Sequence, residues 1–262
     1  GIMKIKFWGT RGSIPVSMTN KDVRRKLRHA LLKAAQGTAL TSETVDPFLD
    51  SLPFDVTHTF GGHSSCLQIV TDSPEHVILD MGSGARPLGQ SMLEQFGPGK
   101  PQVYHVFMSH LHWDHIMGFP FFGPAFNPAA TIVIHSGHAD AETALRRQQE
   151  EISFPVPFEW LKAKFEFVVH TPGEVFEAAG LSVSLVAQHH SHDSYGYRFE
   201  KAGRAVIYST DSEHKMDNME AEVAFETFFG GADLVICDDN AHVVAVVEIR
   251  QPAGGKDRER ML

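Results

Sequence analysis

The sequence predicts an α/β (α+β) protein in which two mixed β-sheets are flanked by helices. Short apolar segments rich in Val, Ile and Phe are bounded by Gly, Pro, Asp or Ser, as strands are. Several of these segments follow one another with no room for a helix, so the strands cannot all be parallel. Strands and helices in this mixed order are typical of two stacked sheets with helices on the outside.

Ten segments carry the strand pattern. They lie at residues 4–9, 66–71, 76–80, 103–108, 131–135, 165–170, 181–187, 195–200, 205–209 and 233–237. No apolar run approaches the roughly 18 residues that are needed to span a bilayer. The sequence therefore predicts a globular protein with no membrane partner.

Three segments carry the period of an amphipathic helix, at residues 21–36, 137–151 and 217–229. Asn20 before the first segment is the predicted N-cap, and Gly37 after it is the predicted C′ residue. The first segment carries six Lys and Arg side chains in an otherwise acidic chain. They form either a solvated helix face or an arm that attracts an anionic substrate.

Charge and cysteine content narrow the functional classes. The chain has 23 Lys and Arg against 32 Asp and Glu, which gives a formal net charge of −9. Long nucleic acid is disfavoured as a partner because non-specific binding depends on counterion release by basic side chains, whereas a small anionic substrate held by a metal ion is compatible. Two distant cysteines and an N-terminus without a signal-peptide pattern favour the reducing cytoplasm. A homodimer is left open.

The segment SHLHWDH, residues 109–115, places His110, His112, Asp114 and His115 directly after a predicted strand. Burying titratable side chains is unfavourable unless partners satisfy them. His110 and His112 point the same way in an extended segment, whereas Asp114 and His115 diverge, so each pair can serve a different metal ion. Imidazole and carboxylate donors suit Zn²⁺, and also Mn²⁺ or Fe. The spacing favours a metal site over a cluster of core histidines.

Further motifs occur in order along the chain: FWGTRGSIPV (7–16), FGGHSSCLQI (60–69), HVILDMGSG (76–84), SHLHWDH, GYRFE (196–200) and IYSTDSEH (207–214). With them the chain resembles the metallo-β-lactamase fold superfamily of metal-dependent hydrolases, in particular its ribonuclease Z and phosphodiesterase-like branch. The resemblance covers residues 3–239, with a helical insertion at 17–56 and an atypical, partly disordered tail at 240–262. It implies a four-layer αββα sandwich.

The resemblance also implies a site for two divalent metal ions, zinc or alternatively manganese or iron. His110 and His112 would bind the first ion together with His190, the histidine whose spacing to GYRFE fits best. Asp114 and His115 would bind the second ion.

Two acidic residues that follow predicted strands complete the implied site. Asp211 would bridge both ions, and Asp80 would orient a ligand from behind, although either position alone would suit an ordinary turn residue. A hydroxide held between the ions would attack the substrate, with Asp114 orienting it or handling its proton. The predicted function is hydrolysis of a small nucleotide-like phosphodiester.

The end of the chain departs from the family pattern. The family's last metal-binding histidine, often in a Gly-His-Ser setting, has no match, and His214 and His242 are the substitutes on offer. His63 stands where the family commonly has Asn, and His189 and His192 flank the implied ligand. The missing histidine favours one alternative, a metal-binding protein without activity. A hydrolase of a carboxylic ester, thioester or lactone at the same site is a second alternative.

Overall fold

In the computed structural model of the chain, two mixed β-sheets of six strands each form the frame. The structure describes residues 3–37, 39–59, 61–213, 219–238 and 243–246. The chain divides into two units: Gly1–Pro15 with His63–Leu262, which holds both sheets, and Val16–Gly62, which is helical. The predicted fold class is confirmed.

The first sheet runs in sequence order across its six strands. These are β1 (Lys4–Gly9), β2 (Cys66–Val70), β3 (His76–Leu79), β4 (Gln102–Met108), β5 (Ala130–Ser136) and β6 (Lys164–Val169). β2 pairs antiparallel with β1 and β3, whereas β3 to β6 are parallel. The carboxyl ends of the parallel strands therefore meet at one edge.

The second sheet has the order β12-β11-β10-β9-β8-β7. Its strands are β7 (Val175–Ala178), β8 (Leu181–Gln188), β9 (Ser194–Lys201), β10 (Arg204–Ser209), β11 (Leu234–Asp238) and β12 (Val243–Val246). Among the described strands of this second sheet, only the β10–β11 pair is parallel. All ten predicted strands are confirmed, and β7 and β12 are additional.

Strand periodicity sorts the side chains into layers. Phe107 of β4 lies in the core between the sheets, whereas its neighbours Val106 and Met108 lie in the core on the outer face of the first sheet. Helix α4 (Ala85–Phe96) packs its buried face into that outer core. Phe228 packs against Ile207 on the outer face of the second sheet. The result is the four-layer αββα sandwich.

Two predicted helices of this unit are present: α6 (Ala141–Arg147), which is shorter than predicted, and α7 (Met219–Phe229), whose first two predicted positions lie outside the described residues. A single turn, α5 (Trp113–Ile116), follows β4. No helix among the described residues is both long and apolar enough to cross a bilayer. Of the predicted tail 240–262, the described part is β12.

The unit Val16–Gly62 contains α1 (Asn20–Ala34), α2 (Val45–Asp50) and α3 (Phe54–Thr57). Within it the side chain of Lys26 donates to the carbonyl oxygen of His58 at 2.6 Å, which ties α1 to the end of α3. Because a lysine ammonium has three donors, one side chain can hold two carbonyls, and Lys26 also donates to that of Asp55.

The predicted caps of α1 are each displaced. The N-cap is Thr19 rather than Asn20, because the Thr19 hydroxyl accepts the Asp22 N–H at 3.2 Å while the Asp22 carboxylate accepts the Thr19 N–H at 3.1 Å. This reciprocal pair satisfies two donors at once, which a lone Asn could not do. The C-cap is Ala35, so Gly37 lies one residue beyond the C′ position.

A row of three imidazoles lies beside the core between the sheets. His105 and His135 are joined nitrogen to nitrogen at 2.9 Å, and so are His135 and His170. Carboxylates close both ends, with Glu75 3.1 Å from His105 and Glu174 3.4 Å from His170. The row therefore contains four junctions between titratable groups.

The number of protons that the row can hold explains why it disfavours protonation in the folded protein. Each neutral imidazole carries one N–H, so three neutral rings fill three of the four junctions, and the fourth needs an added proton. Burial opposes that proton: it lowers the pKa of His135 to about 3, and the neighbouring His105 and His170 add to the effect. The longest of the four junctions is the one between His170 and Glu174.

We expect the row to make stability fall in acid. The unfolded chain gains a proton at His135 near the ordinary pKa of about 6.5, whereas the folded chain does so only near pH 3. The contribution is complete above pH 7 and is lost as the pH falls from about 6.5 towards 3, by up to about 1.4 kcal/mol per pH unit. His135→Gln should remove this share of the slope in urea unfolding of the metal-free protein at pH 7, 6 and 5.

The same substitution at the exposed His29 is the control, and it should keep the wild-type slope. Equal slopes for wild type and His135→Gln would contradict the expectation, whatever the absolute stability of the variant.

Candidate metal centre

Two glycines hold the loops that build the centre. A Cβ on Gly118 would lie 1.9 Å from the carbonyl oxygen of Gly82, and a Cβ on Gly82 would lie 2.4 Å from that of Asp114. Backbone hydrogen bonds join the same loops, from Met81 N–H to the His115 carbonyl and from Gly118 N–H to the Met81 carbonyl, each at 2.8 Å. The loop after β3 is thereby fixed against α5.

Three histidines form the first group of converging donors. The ligand atoms of His110, His112 and His190 lie within 4.8 Å of one another. His110 Nε2 is 3.0 Å from His112 Nδ1, and His190 Nε2 is 3.2 Å from that same atom. The loop after β4 supplies the first two, and the segment between β8 and β9 supplies the third. The structure thus brings together the histidines implied for the first ion.

The second group contains His110, His115 and Asp211, again within 4.8 Å. Asp211 Oδ2 is 3.0 Å from His115 Nε2, while its Oδ1 is 3.9 Å from His190 Nε2. The two oxygens of Asp211 thus face different groups, as a carboxylate between two ions would. His110 belongs to both groups.

Asp114 stands beside the second group rather than within it. Its Oδ2 is 3.6 Å from His115 Nε2 and accepts the backbone N–H of Ser13 at 2.8 Å. Ser13 adopts a φ of +60°, in the left-handed region that few residues other than glycine occupy. The sequence offered no signal for this contact, because 101 residues separate its partners.

Asp80 is the buried anchor of the centre. Its carboxylate accepts the Ser109 N–H at 2.7 Å, the Ser109 hydroxyl at 2.6 Å and the Tyr208 hydroxyl at 2.7 Å. It also lies 2.7 Å from His115 Nδ1. A proton on Nδ1 satisfies this contact, so Nε2, the nitrogen that faces Asp211, is the atom that would bind a metal ion once it has lost its own proton.

The charge states suit metal binding. Burial, with His115 next to it, lowers the pKa of His110 to about 2, so this imidazole is a neutral donor. Burial alone would raise the pKa of Asp211, but the hydrogen bond with His115 outweighs it and lowers the value to about 2. Burial also disfavours charge on His115, yet Asp80 and Asp211 raise its pKa to about 10. A metal ion would compete with this proton.

The donor set fits divalent metal ions. Three imidazoles around one point, with the fourth position open, are the ligands of catalytic zinc sites. Without an ion, at most one proton can lie between each pair of facing nitrogens, and the nitrogens of His110, His112 and His190 crowd together at 3.0–3.2 Å. Acidic donors and a positioned outer carboxylate complete a second position.

The remaining sequence candidates lie apart from both groups. His63 Nδ1 is 3.1 Å from the Ser83 hydroxyl, and the ring of His192 stacks 6.0 Å from that of His138. His189 is exposed. His214 and His242, the proposed replacements for the family's last histidine, lie outside the described residues.

The sequence between residues 77 and 243 matches the family model of a beta-lactamase superfamily domain. The chain belongs to the metallo-β-lactamase superfamily. The matched range covers more than half of the chain and includes all residues of both donor groups.

The chain is similar in sequence to parts of two ribonucleases. It is 30% identical over 144 residues to ribonuclease Z of Lacticaseibacillus casei, covering 53% of this chain and 41% of that relative. It is 28% identical over 185 residues to ribonuclease BN of Escherichia coli O81, covering 68% of this chain and 56% of the relative. The chain thus spans about half the length of the curated relatives it matches.

Solved structures support the fold. The metallo-β-lactamase fold protein YhfI of Bacillus subtilis is similar with a TM-score of 0.50 and 16% identity, over 89% of this chain and 69% of that one. Zinc-bound PqqB of Methylobacterium extorquens is similar with a TM-score of 0.55 and 13% identity, over 90% and 70%. At these identities the likeness concerns the fold alone.

Removing the charge of Asp80 should weaken metal binding. In Asp80→Asn the amide can no longer accept all of its hydrogen bonds, so His115 loses the partner that fixes its ring. We expect metal affinity to fall about 10- to 100-fold, the usual effect of losing a partner behind a ligand. Competition with a chromogenic chelator for Zn²⁺ measures the change.

Asp72→Asn is the matched control, since Asp72 is a surface carboxylate paired with Lys201. A folded Asp80→Asn variant with wild-type affinity would contradict the role of Asp80. Tyr208→Phe, which removes one donor and keeps the ring, should give a smaller loss in the same assay.

Proposed function

We propose that the protein is a metal-dependent phosphodiesterase that hydrolyses a small nucleotide-like phosphodiester. The observation that carries this is the pair of donor groups that share His110 and meet at Asp211. Paired divalent ions are typical of enzymes that break phosphate esters. Ribonuclease Z and ribonuclease BN, which resemble this chain over part of their length, bear names that point to the same reaction class.

The residues divide between two ions, for which zinc suits the donors best and manganese or iron are the alternatives. His110, His112 and His190 would hold the first ion. His115 would hold the second, with Asp114 beside it and Asp211 reaching both. When bound, two such ions supply Lewis acidity that lowers the pKa of water and stabilises negative charge developing on a phosphoryl oxygen.

Asp114 is positioned to handle a proton. The Ser13 N–H holds its Oδ2, which leaves Oδ1 to orient the attacking water and accept its proton. The carboxylate of Asp80 keeps His115 in one orientation throughout, so the donor atoms need not reorganise as charge moves.

The net charge of the protein favours a substrate that is short and anionic. A net charge of −9 repels a long polyanion but permits a short anionic ester at a locally cationic metal centre. The proposal therefore includes no long nucleic acid and no membrane. We further propose a cytoplasmic location, on the ground that the sequence has only two cysteines, which lie far apart in the chain and form no disulfide framework.

The test is turnover of bis(p-nitrophenyl) phosphate by the zinc-loaded full chain. His112→Ala should lower kcat/KM by at least about 100-fold, because losing a ligand costs more than losing the partner behind one. His189→Ala, an exposed histidine next to the ligand His190, should stay within about twofold of wild type, the usual range for a surface change. Metal analysis should give two equivalents per chain.

Two results would overturn the proposal in favour of its alternatives. Turnover of p-nitrophenyl acetate, a thioester or a lactone, with no phosphodiester cleaved, would indicate a carboxylic ester hydrolase. Bound metal with no turnover of any of these substrates would indicate a metal-binding protein without activity.

A further inference from the structure

An open cleft of about 540 Å³ lies beside the metal-ligand loop. Its walls include the aromatic rings of Trp113, Phe121 and Phe154 together with the guanidinium of Arg147. Trp113 is 64% exposed, and Phe121, whose ring packs edge-on against that of Phe154, is 51% exposed, so the cleft presents a group of aromatic side chains to solvent. The volume is that of a site for a small organic ligand.

The cleft and the metal centre share one stretch of backbone. Leu111 and Trp113, which line the cleft, stand on either side of His112 in the sequence. Gln148 of the segment after α6 donates to the carbonyl of Ile116 at 3.0 Å and so holds the far wall against α5. A molecule in the cleft therefore lies next to the helical turn that carries Asp114 and His115.

Arg147 differs from its neighbour Arg146 in its partners. Arg146 pairs with Glu142 at 2.9 Å and Glu159 at 3.1 Å, and its guanidinium lies 4.2 Å from the ring centre of Phe158. Arg147 forms no ion pair within 4.0 Å in the part of the chain that the structure describes. An unpaired guanidinium on an aromatic wall matches a ligand that combines a planar ring with an anion.

We propose that this cleft binds a nucleoside monophosphate unit of the substrate, with the base stacked on Trp113 and a phosphate group paired with Arg147. The inference rests on the proposed function, since it places a second part of the same substrate while the scissile ester lies at the metal centre. Stacking on an indole is tolerant of base identity, and an arginine fork pairs with two phosphate oxygens at once. A purely apolar occupant would leave the charge of Arg147 unused.

The class of substrate follows. A dinucleotide with a terminal phosphate supplies both parts: a phosphorylated nucleoside for the cleft and an internal phosphodiester to be cleaved. Water adds to the phosphorus of that internal ester and the bond to one sugar oxygen breaks, which yields a phosphorylated product and a free hydroxyl with no redox change.

Binding to the metal-free full chain separates this proposal from the hydrolytic one. The probes are adenosine 5′-monophosphate, adenosine, which lacks the phosphate, and ribose 5-phosphate, which lacks the base. By isothermal titration, Trp113→Ala should weaken adenosine and the monophosphate about 10-fold or more without changing ribose 5-phosphate. Arg147→Gln should weaken the monophosphate and ribose 5-phosphate about 10-fold and spare adenosine.

Two control variants test whether a loss of binding reflects a general loss of structure. Trp160→Ala removes an equally exposed indole outside the cleft, and Arg146→Gln removes the neighbouring charge, so both should bind like wild type. Trp113→Phe keeps an aromatic face and should restore most of the affinity lost in Trp113→Ala.

The proposal is overturned if the monophosphate does not bind, if it binds only when zinc is present, or if Trp113→Ala and Arg147→Gln weaken the same probes equally. In the zinc-loaded protein, Trp113→Ala should raise KM for the phosphorylated dinucleotide and leave kcat within about threefold, as expected when the lost binding is equal in the ground state and the transition state. Binding without any hydrolysis would refute the phosphodiesterase and leave the cleft assignment standing.

Discussion

The carboxylate of Asp80 is the interaction on which the centre depends. It is fully buried, and it accepts hydrogen bonds from the end of β4, from α5 and from β10 of the opposite sheet. A buried charge is stable only when its lone pairs are satisfied, so these elements must stay in place together. Asp80 itself has a φ of +57°, a conformation that costs energy for a residue other than glycine. The fold thus holds a strained, charged residue at the point where both sheets meet the metal ligands.

Much of the frame could be predicted because strand periodicity is a local signal. The ten predicted strands alternate or run apolar over their full length, as buried strands do. Strand β7 was not predicted from the sequence, because it is only four residues long and begins with a Val that is 67% exposed. Helix α4 was not predicted because its sequence contains Pro87 and Gly89, which usually interrupt helices. The structure accommodates both: Pro87 lies in the first turn of the helix, where proline is tolerated. Gly89 lies so close to the backbone of Gly123 that a Cβ there would be 2.9 Å from the Gly123 nitrogen.

The part of the site that could be predicted from the sequence is the part whose residues are close neighbours along the chain. SHLHWDH supplies four candidate ligands within seven residues, and the family resemblance added His190 and Asp211 from later in the chain. The contacts that sequence reasoning missed are long-range: Ser13 reaches Asp114 across 101 residues and Tyr208 reaches Asp80 across 128. No local pattern marks such partners, because tertiary packing brings together segments that are far apart in the sequence.

The glycine contact between Gly82 and Gly118 has a consequence for reading other sequences. With 1.9 Å between a would-be Cβ and a carbonyl oxygen, even alanine at position 118 would push the two loops apart. Such a shift would separate Met81 from the backbone of His115 and misplace a ligand whose own codon is unchanged. A protein that keeps every histidine of this centre but replaces Gly118 should therefore be classed as structurally altered at the site. The pair of glycines therefore marks damage to the centre that a check of the ligands alone would miss.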